Sequence, residues 1–194
     1  DVVSSAFDSA GQRCSALRLL VVQDDVAERL LAMLEGAVRE LRVGDPRALA
    51  TDVGPVIDAD AQAGIARHVQ AMQAKGRRVW RPEPDAAATV RGHFVAPTVI
   101  ELQSVAELGR EVFGPVLHVL RYAREDLAAT LEQVNATGYG LTQGVHTRID
   151  ETVAQVVAAS RAGNLYVNRN IVGAVVGVQP FGGEGLSGTG PKAG

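Results

Sequence analysis

The sequence predicts an α/β protein of three layers, with helices on both faces of a mostly parallel sheet. Three observations carry that expectation. Apolar runs of strand length alternate with amphipathic stretches of helix length almost to the end of the 194 residues, which is the pattern of strands joined by right-handed crossover helices. The chain is 46% apolar and 21% charged, an ordinary globular balance with enough apolar side chain to build a sizeable core. No repeat and no linker composition interrupts the alternation.

Taken in order, LRLLVV (17–22) reads as a buried strand. It feeds DDVAERLLAMLEGAVREL (24–41), a helix behind an Asp cap in which Val26, Leu30, Met33, Leu34 and Val38 recur at helical spacing. The turn VGDP (43–46) and DVGPVID (52–58) form a loop. DADAQAGIARHVQAMQAKG (58–76) is a second helix, with Lys75 and Gly76 where a C-cap belongs. RVW (78–80), FVAPTVIEL (94–102) and PVLHVLRY (115–122) read as strands. REDLAATLEQVNAT (124–137) reads as a helix, LTQGVHT (141–147) as a strand, DETVAQVVAASRAG (150–163) as a helix and NLYVN (164–168) as the last strand. The segment 173–194 is rich in glycine and predicts no regular element, so an irregular functional tail is expected from about residue 169.

Composition narrows function by exclusion. Aromatic residues make up only 4%, leaving Val, Leu and Ala to fill the core. The formal net charge is −3 and the basic residues are scattered, so no direct contact with nucleic acid is expected. One cysteine cannot staple a fold, and no stretch approaches the roughly 20 apolar residues of a membrane span. A reducing compartment, the cytoplasm, follows as the expectation, and no metal site is expected. Length allows one large domain or two small ones. The chain opens at Asp1 with neither an initiator Met nor a leader, which reads as a piece of a longer protein.

Gly183-Glu184-Gly185-Leu186-Ser187-Gly188 matches the dinucleotide fingerprint G-x-G-x-x-G as a bare pattern. Its context rejects that role: Pro180 and Phe181 precede it where a strand should end, and no helix follows to receive a pyrophosphate. No Walker sequence occurs either.

The single cysteine, Cys14, lies in FDSAGQRCSALR (7–18). Two readings stand for it: a small apolar side chain in the core, or a nucleophile. Its place before a strand puts the thiol at the mouth of a sheet, and Arg13 beside it favours the thiolate. A Cys-His hydrolase would also need a base. The four histidines, His68, His93, His118 and His146, lie mid-helix, before a strand or within strands, and read as satisfied surface or core residues.

Several stretches, spread in order over the whole chain, resemble the motifs of the aldehyde dehydrogenase superfamily. They are GQRCSA (11–16), EVFGPV (111–116), GYGLT (138–142), GNLYVN (163–168) and QPFGGEGLSGTG (179–190). The end of the chain, 168–194, is similar to one branch, the L-glutamate γ-semialdehyde (Δ1-pyrroline-5-carboxylate) dehydrogenase part of bifunctional proline utilization A enzymes. The resemblance implies that residues 1–194 are the nucleophile-bearing catalytic domain of such an enzyme. Cys14 then matches the nucleophile that forms a thiohemiacetal and a thioester, with its own N–H facing the oxyanion. Glu111 matches the carboxylate that holds the nicotinamide ribose of NAD, and Phe113 packs on that cofactor. Ser15, Gly173 and Ala174 match groups that anchor the substrate carboxylate, and Phe181 matches the aromatic wall of the aldehyde channel.

The resemblance further implies an absent amino-terminal half that binds most of NAD, so that this chain alone is inactive. It implies a homo-oligomeric parent acting on a small-molecule aldehyde, with FAD only in any proline dehydrogenase region of that parent. A non-catalytic relative kept for assembly, and a dehydrogenase for another aldehyde, remain open at this stage. For Glu111 a solvated charge, for Phe113 a buried loop aromatic, for Phe181 a core plug, and for the 172–177 loop a plain surface turn also remain open.

Overall fold

The computed structural model of the chain describes residues 1–83, 89–188 and 192, so the last residues of the expected tail, 189–191 and 193–194, lie outside the described residues. The chain resolves into two compact units, Val2–Arg121 and Tyr122–Gly194 with Asp1.

In the first unit, a short helix α1 (Val2–Phe7) turns its Ser5, Ala6 and Phe7 inward and runs into a 3₁₀ turn at Asp8–Gly11. Strand β1 (Leu19–Gln23) follows, then α2 (Asp24–Arg39) and α3 (Ala59–Ala74). Strands β2 (Val79–Trp80), β3 (Thr98–Leu102) and β4 (Val116–Tyr122) complete a sheet in the order β1-β4-β3-β2. β3 and β4 are parallel, in register from Thr98 opposite Val116 to Leu102 opposite Leu120, and β2 is antiparallel to β3. The central strand β4 buries Val116, Leu117, His118 and Val119 almost completely, as a strand covered on both faces requires.

Helix α2 differs from the expectation in its face and its cap. It buries Ala27, Leu31, Leu34 and Val38, whereas Val26 and Met33 are exposed. The stripe runs through the small Ala27, which lets α2 come close to Ala6, Phe7 and Ala10 in one core cluster; a search for large apolar residues passes over it. Asp24 stands in the first turn, the cap position is Gln23, and no side chain caps the helix. Helix α3 follows its signals: Asp58 Oδ1 accepts from the Ala61 N–H at 2.8 Å, and Gly76 takes φ +73° just beyond the end.

In the second unit, α4 (Leu127–Ala136) leads to the two-residue β5 (Tyr139–Gly140) and to β6 (Thr142–Val145). α5 (Asp150–Ala159) then crosses to β7 (Asn164–Val167), which pairs parallel with β6 from Thr142 opposite Asn164 to Val145 opposite Val167. The tail is not wholly irregular. Its Glu184–Gly185 forms a strand β8 that pairs antiparallel with β5. Glycine makes this possible, because Gly185 sits at φ +59° and a Cβ there would lie 2.3 Å from the Gly138 carbonyl oxygen.

The buried histidine of β4 is satisfied on both ring nitrogens. His118 Nδ1 lies 3.1 Å from the Arg18 carbonyl oxygen, which can only accept, so Nδ1 carries the hydrogen. Nε2 of neutral His118 therefore accepts from His68 Nε2 at 2.8 Å. Burial pushes His118 down to about 4, against the hydrogen bond to the Arg18 carbonyl and aided by the charges of His68 and Arg18. Burial also lowers His68, with Arg110 and Lys75 nearby. The unfolded chain takes up these protons near 6.5, the native unit only at lower pH, so stability present at neutral pH falls as the pH drops from about 6.5 toward about 4. For His118 the loss is on the order of 3 kcal/mol. Urea unfolding of residues 1–194, followed by the fluorescence of Trp80, measures it. His118→Leu is expected to be less stable at neutral pH yet to lose stability less steeply over this range; an unchanged slope contradicts the assignment.

Candidate active site

The loop that carries Cys14 begins with an unusual backbone. Ser9, Ala10 and Gly11 have φ of 56°, 54° and 63°, three successive left-handed residues of which only the last is free of steric cost. A Cβ on Gly11 would sit 2.1 Å from the Gly114 carbonyl oxygen, and one on Gly114 would sit 2.4 Å from Ile65 Cδ1. The Cys14 loop and the 111–115 loop therefore meet backbone to backbone. Gln12 ties the same loop to a third one, donating to the Pro55 carbonyl at 3.2 Å and accepting from the Ile57 N–H at 2.8 Å.

Cys14 is exposed and Ser15 beside it is buried. Arg13 Nε donates to Ser9 Oγ at 2.9 Å. Arg18 stands four residues beyond Cys14, its side chain 15% exposed. It donates through Nε to Glu111 Oε1 at 3.1 Å, and its guanidinium stands 4.5 Å from the centroid of the Phe113 ring. Burial lowers the Arg18 pKa, and the hydrogen bond and charge of Glu111 act against that. Glu111 and Phe113 both remain exposed toward solvent. Among the described residues no histidine hydrogen-bonds the Cys14 sulfur; His68 and His118 bond each other, and His146 lies 4.0 Å from Asp1.

The second unit holds Gly173, Ala174 and Phe181. Gly173 has φ +88° with nothing within 4 Å of where a Cβ would stand, and Ala174 is half-buried. Among the described residues the N–H groups of Gly173 and Ala174 make no hydrogen bond. The loop is framed from both ends. Gln179 Nε2 donates to Tyr166 Oη at 2.9 Å, and the Arg169 guanidinium lies 4.9 Å from the Tyr166 ring centroid. Phe181, half-buried, sits between two residues held by Asn164: Asn164 Nδ2 donates to the Pro180 carbonyl at 2.9 Å and Asn164 Oδ1 accepts from the Gly182 N–H at 3.2 Å.

A model of the aldehyde dehydrogenase family matches residues 1–194. The chain belongs to the aldehyde dehydrogenase family. It is 66% identical over 198 residues to the bifunctional protein PutA of Salmonella typhimurium, a match that takes in 100% of this chain and 15% of that protein. It is 38% identical over 195 residues to the 1-pyrroline-5-carboxylate dehydrogenase of Geobacillus kaustophilus, covering 100% of this chain and 37% of that one. A solved structure of proline utilization A with proline bound in remote sites superposes with a TM-score of 0.93 at 54% identity, over 100% of this chain and 19% of that chain. Betaine aldehyde dehydrogenase of Staphylococcus aureus superposes with a TM-score of 0.88 at 26% identity, over 100% of this chain and 38% of that one. These matches establish the α/β fold class with its mostly parallel sheet, and the chain spans well under half the length of each of these relatives.

Arg18 and Gln12 are the residues that sequence reasoning missed. A signal for Arg18 was present: a guanidinium inside the apolar run LRLLVV needs partners, because a buried charge without them is costly. Among the described residues no group of three or more His, Cys, Asp or Glu is placed to hold a metal ion, and no helix is long and apolar enough to cross a membrane.

Proposed function

We propose that residues 1–194 are the nucleophile-bearing catalytic domain of an NAD-dependent L-glutamate γ-semialdehyde dehydrogenase of proline catabolism, working inside a longer parent chain. The observation that carries this reading is the exposed Cys14 on a left-handed loop, joined through Arg18 to Glu111 and Phe113. The names of the relatives support the substrate.

In this reading Cys14 Sγ adds to the aldehyde carbon, and the carbonyl π pair moves onto oxygen as an oxyanion that faces the Cys14 N–H. The thiohemiacetal stays on Cys14 until it becomes a thioester, which water then hydrolyses to the acid. Glu111 fits the hold on the nicotinamide ribose: Arg18 fixes Oε1, and Oε2 has no partner among the described residues, leaving an acceptor for a diol hydroxyl. Phe113, 46% exposed, offers an apolar face beside it. NAD, when bound, supplies the hydride acceptor. The unpaired N–H groups of Gly173 and Ala174 suit a substrate carboxylate, with Ser15 beside the nucleophile and Phe181 lining the aldehyde path. The rest of the parent, homo-oligomeric and cytoplasmic, supplies the remaining NAD contacts, and FAD belongs to a proline dehydrogenase region of it. Residues 1–194 alone accordingly give no turnover.

The substrate assignment has a direct test in the full-length parent. Ala174→Leu crowds the loop amides and is expected to raise KM for glutamate semialdehyde by about 10-fold or more, with a much smaller rise for a simple aliphatic aldehyde. Steady-state kinetics on both substrates decide the point, and equal losses would show that this loop does not read the carboxylate.

A further inference from the structure

We propose that Arg18 is a positioning residue that locks the Cys14 peptide and the Glu111 carboxylate into one constellation. The inference rests on the dehydrogenase reading above and adds a residue to it. One side chain, 15% exposed, reaches two loops far apart in sequence. Its Nη1 donates to the Gly11 carbonyl at 2.5 Å and to the Gly114 carbonyl at 3.3 Å. Its Nη2 donates to the Arg13 carbonyl at 3.0 Å, and its Nε donates to Glu111 Oε1 at 3.1 Å. The flat face of the same guanidinium covers Phe113.

The bond to Arg13 reaches the reacting atoms. The Arg13 carbonyl and the Cys14 N–H belong to one peptide unit, and no peptide bond in the described chain is cis. In a trans unit the two groups point in opposite directions, so fixing the Arg13 oxygen fixes where the Cys14 N–H is aimed. A charged donor on that oxygen also polarises the peptide and strengthens the N–H as a donor. The Arg18 backbone is itself held, because its carbonyl accepts from the His118 N–H at 2.9 Å and from His118 Nδ1. Lysine cannot replace this arrangement, since an ammonium is a point charge without a planar fork that serves four acceptors and an aromatic face together.

The test uses the full-length parent with Arg18→Lys, Arg18→Met and Glu111→Gln. Both Arg18 variants are expected to lower kcat by about 10²-fold, the scale for a misaimed oxyanion donor, and to raise KM for NAD by about 10-fold as Glu111 loses its anchor. Arg18→Met is expected to change the rate at which iodoacetamide alkylates native Cys14 by at least about threefold, because the loop that presents the thiol loses its hydrogen bonds at the Gly11 and Arg13 carbonyls. Glu111→Gln is a surface change that leaves the fold intact, and Arg18→Lys added to it is expected to cost less than on the wild type, because the two share one contact. A purely structural Arg18 gives a lower melting temperature with alkylation rate and KM for NAD within about twofold of wild type in the folded protein, or full additivity with Glu111→Gln; either result overturns the proposal. If the wild-type parent makes no NADH from an aldehyde, the dehydrogenase reading falls and the alkylation comparison alone decides on Arg18.

Discussion

Cys14→Ala in the full-length parent is expected to abolish aldehyde-dependent NADH formation, with kcat lower by about 10⁴-fold or more, the scale on which removal of a covalent nucleophile acts. The side chain is exposed and anchors no core cluster, so the substitution should change stability by no more than about 0.5 kcal/mol. Alanine also keeps the backbone N–H, so the oxyanion donor stays in place while the attacking sulfur goes. The pairing of lost turnover with an unchanged melting curve separates a nucleophile from a structural thiol. Retention of more than about a hundredth of the wild-type rate would remove Cys14 from the chemistry.

Gly11→Ala is expected to destabilise the first unit by about 3 kcal/mol or more. Two effects add. The residue sits at φ +63°, where an L side chain costs about 1–2 kcal/mol, and the new methyl would stand 2.1 Å from the Gly114 oxygen, so one of the two loops must move. Movement of either loop strips carbonyl partners from Arg18. Gly76→Ala supplies the control: its φ is +73°, but nothing lies within 4 Å of the added Cβ, so only the conformational cost applies. Urea unfolding read by Trp80 fluorescence should show Gly11→Ala the more destabilised of the two by about 2 kcal/mol. Equal midpoints would mean that the close approach of the two loops is not holding the site.

Much of this fold was legible because burial imposes a period on the chain. The runs that became β1, β3, β4, β6 and β7, and the stretches that became α3, α4 and α5, sit within a few residues of where apolar spacing and turn residues put them. What escaped was short or small. α1 has six residues, too few for periodicity to show, and β5 and β8 have two each. The inward face of α2 does not show in the spacing of large apolar residues, because Ala27 contributes closeness rather than bulk. The site divides in the same way. Cys14 stood out by residue type and by a loop context that the sequence displays, and the family resemblance drawn from linked motifs matches the family found over residues 1–194. Arg18 stayed hidden because its acceptors are mostly backbone carbonyls, two of those acceptors more than 90 positions away, and a carbonyl has no letter in the sequence.

Residues 180–188 are fastened by hydrogen bonds and close main-chain approaches rather than by apolar burial. Gly163 approaches the Gly182 carbonyl so closely that a Cβ would lie 1.9 Å from its oxygen, the Leu186 N–H donates to the Gly138 carbonyl at 2.8 Å, and the Leu186 side chain is 70% exposed. A segment held in this way has many hydrogen bonds and little apolar area removed from water. Its amides are protected from exchange only as long as they stay docked together, and undocking forfeits little of the hydrophobic free energy that secures β4. Residues 180–188 are therefore expected to open together at a free energy below that of the sheet, with the Asn164 carboxamide that bonds Pro180 and Gly182 setting how often they do so.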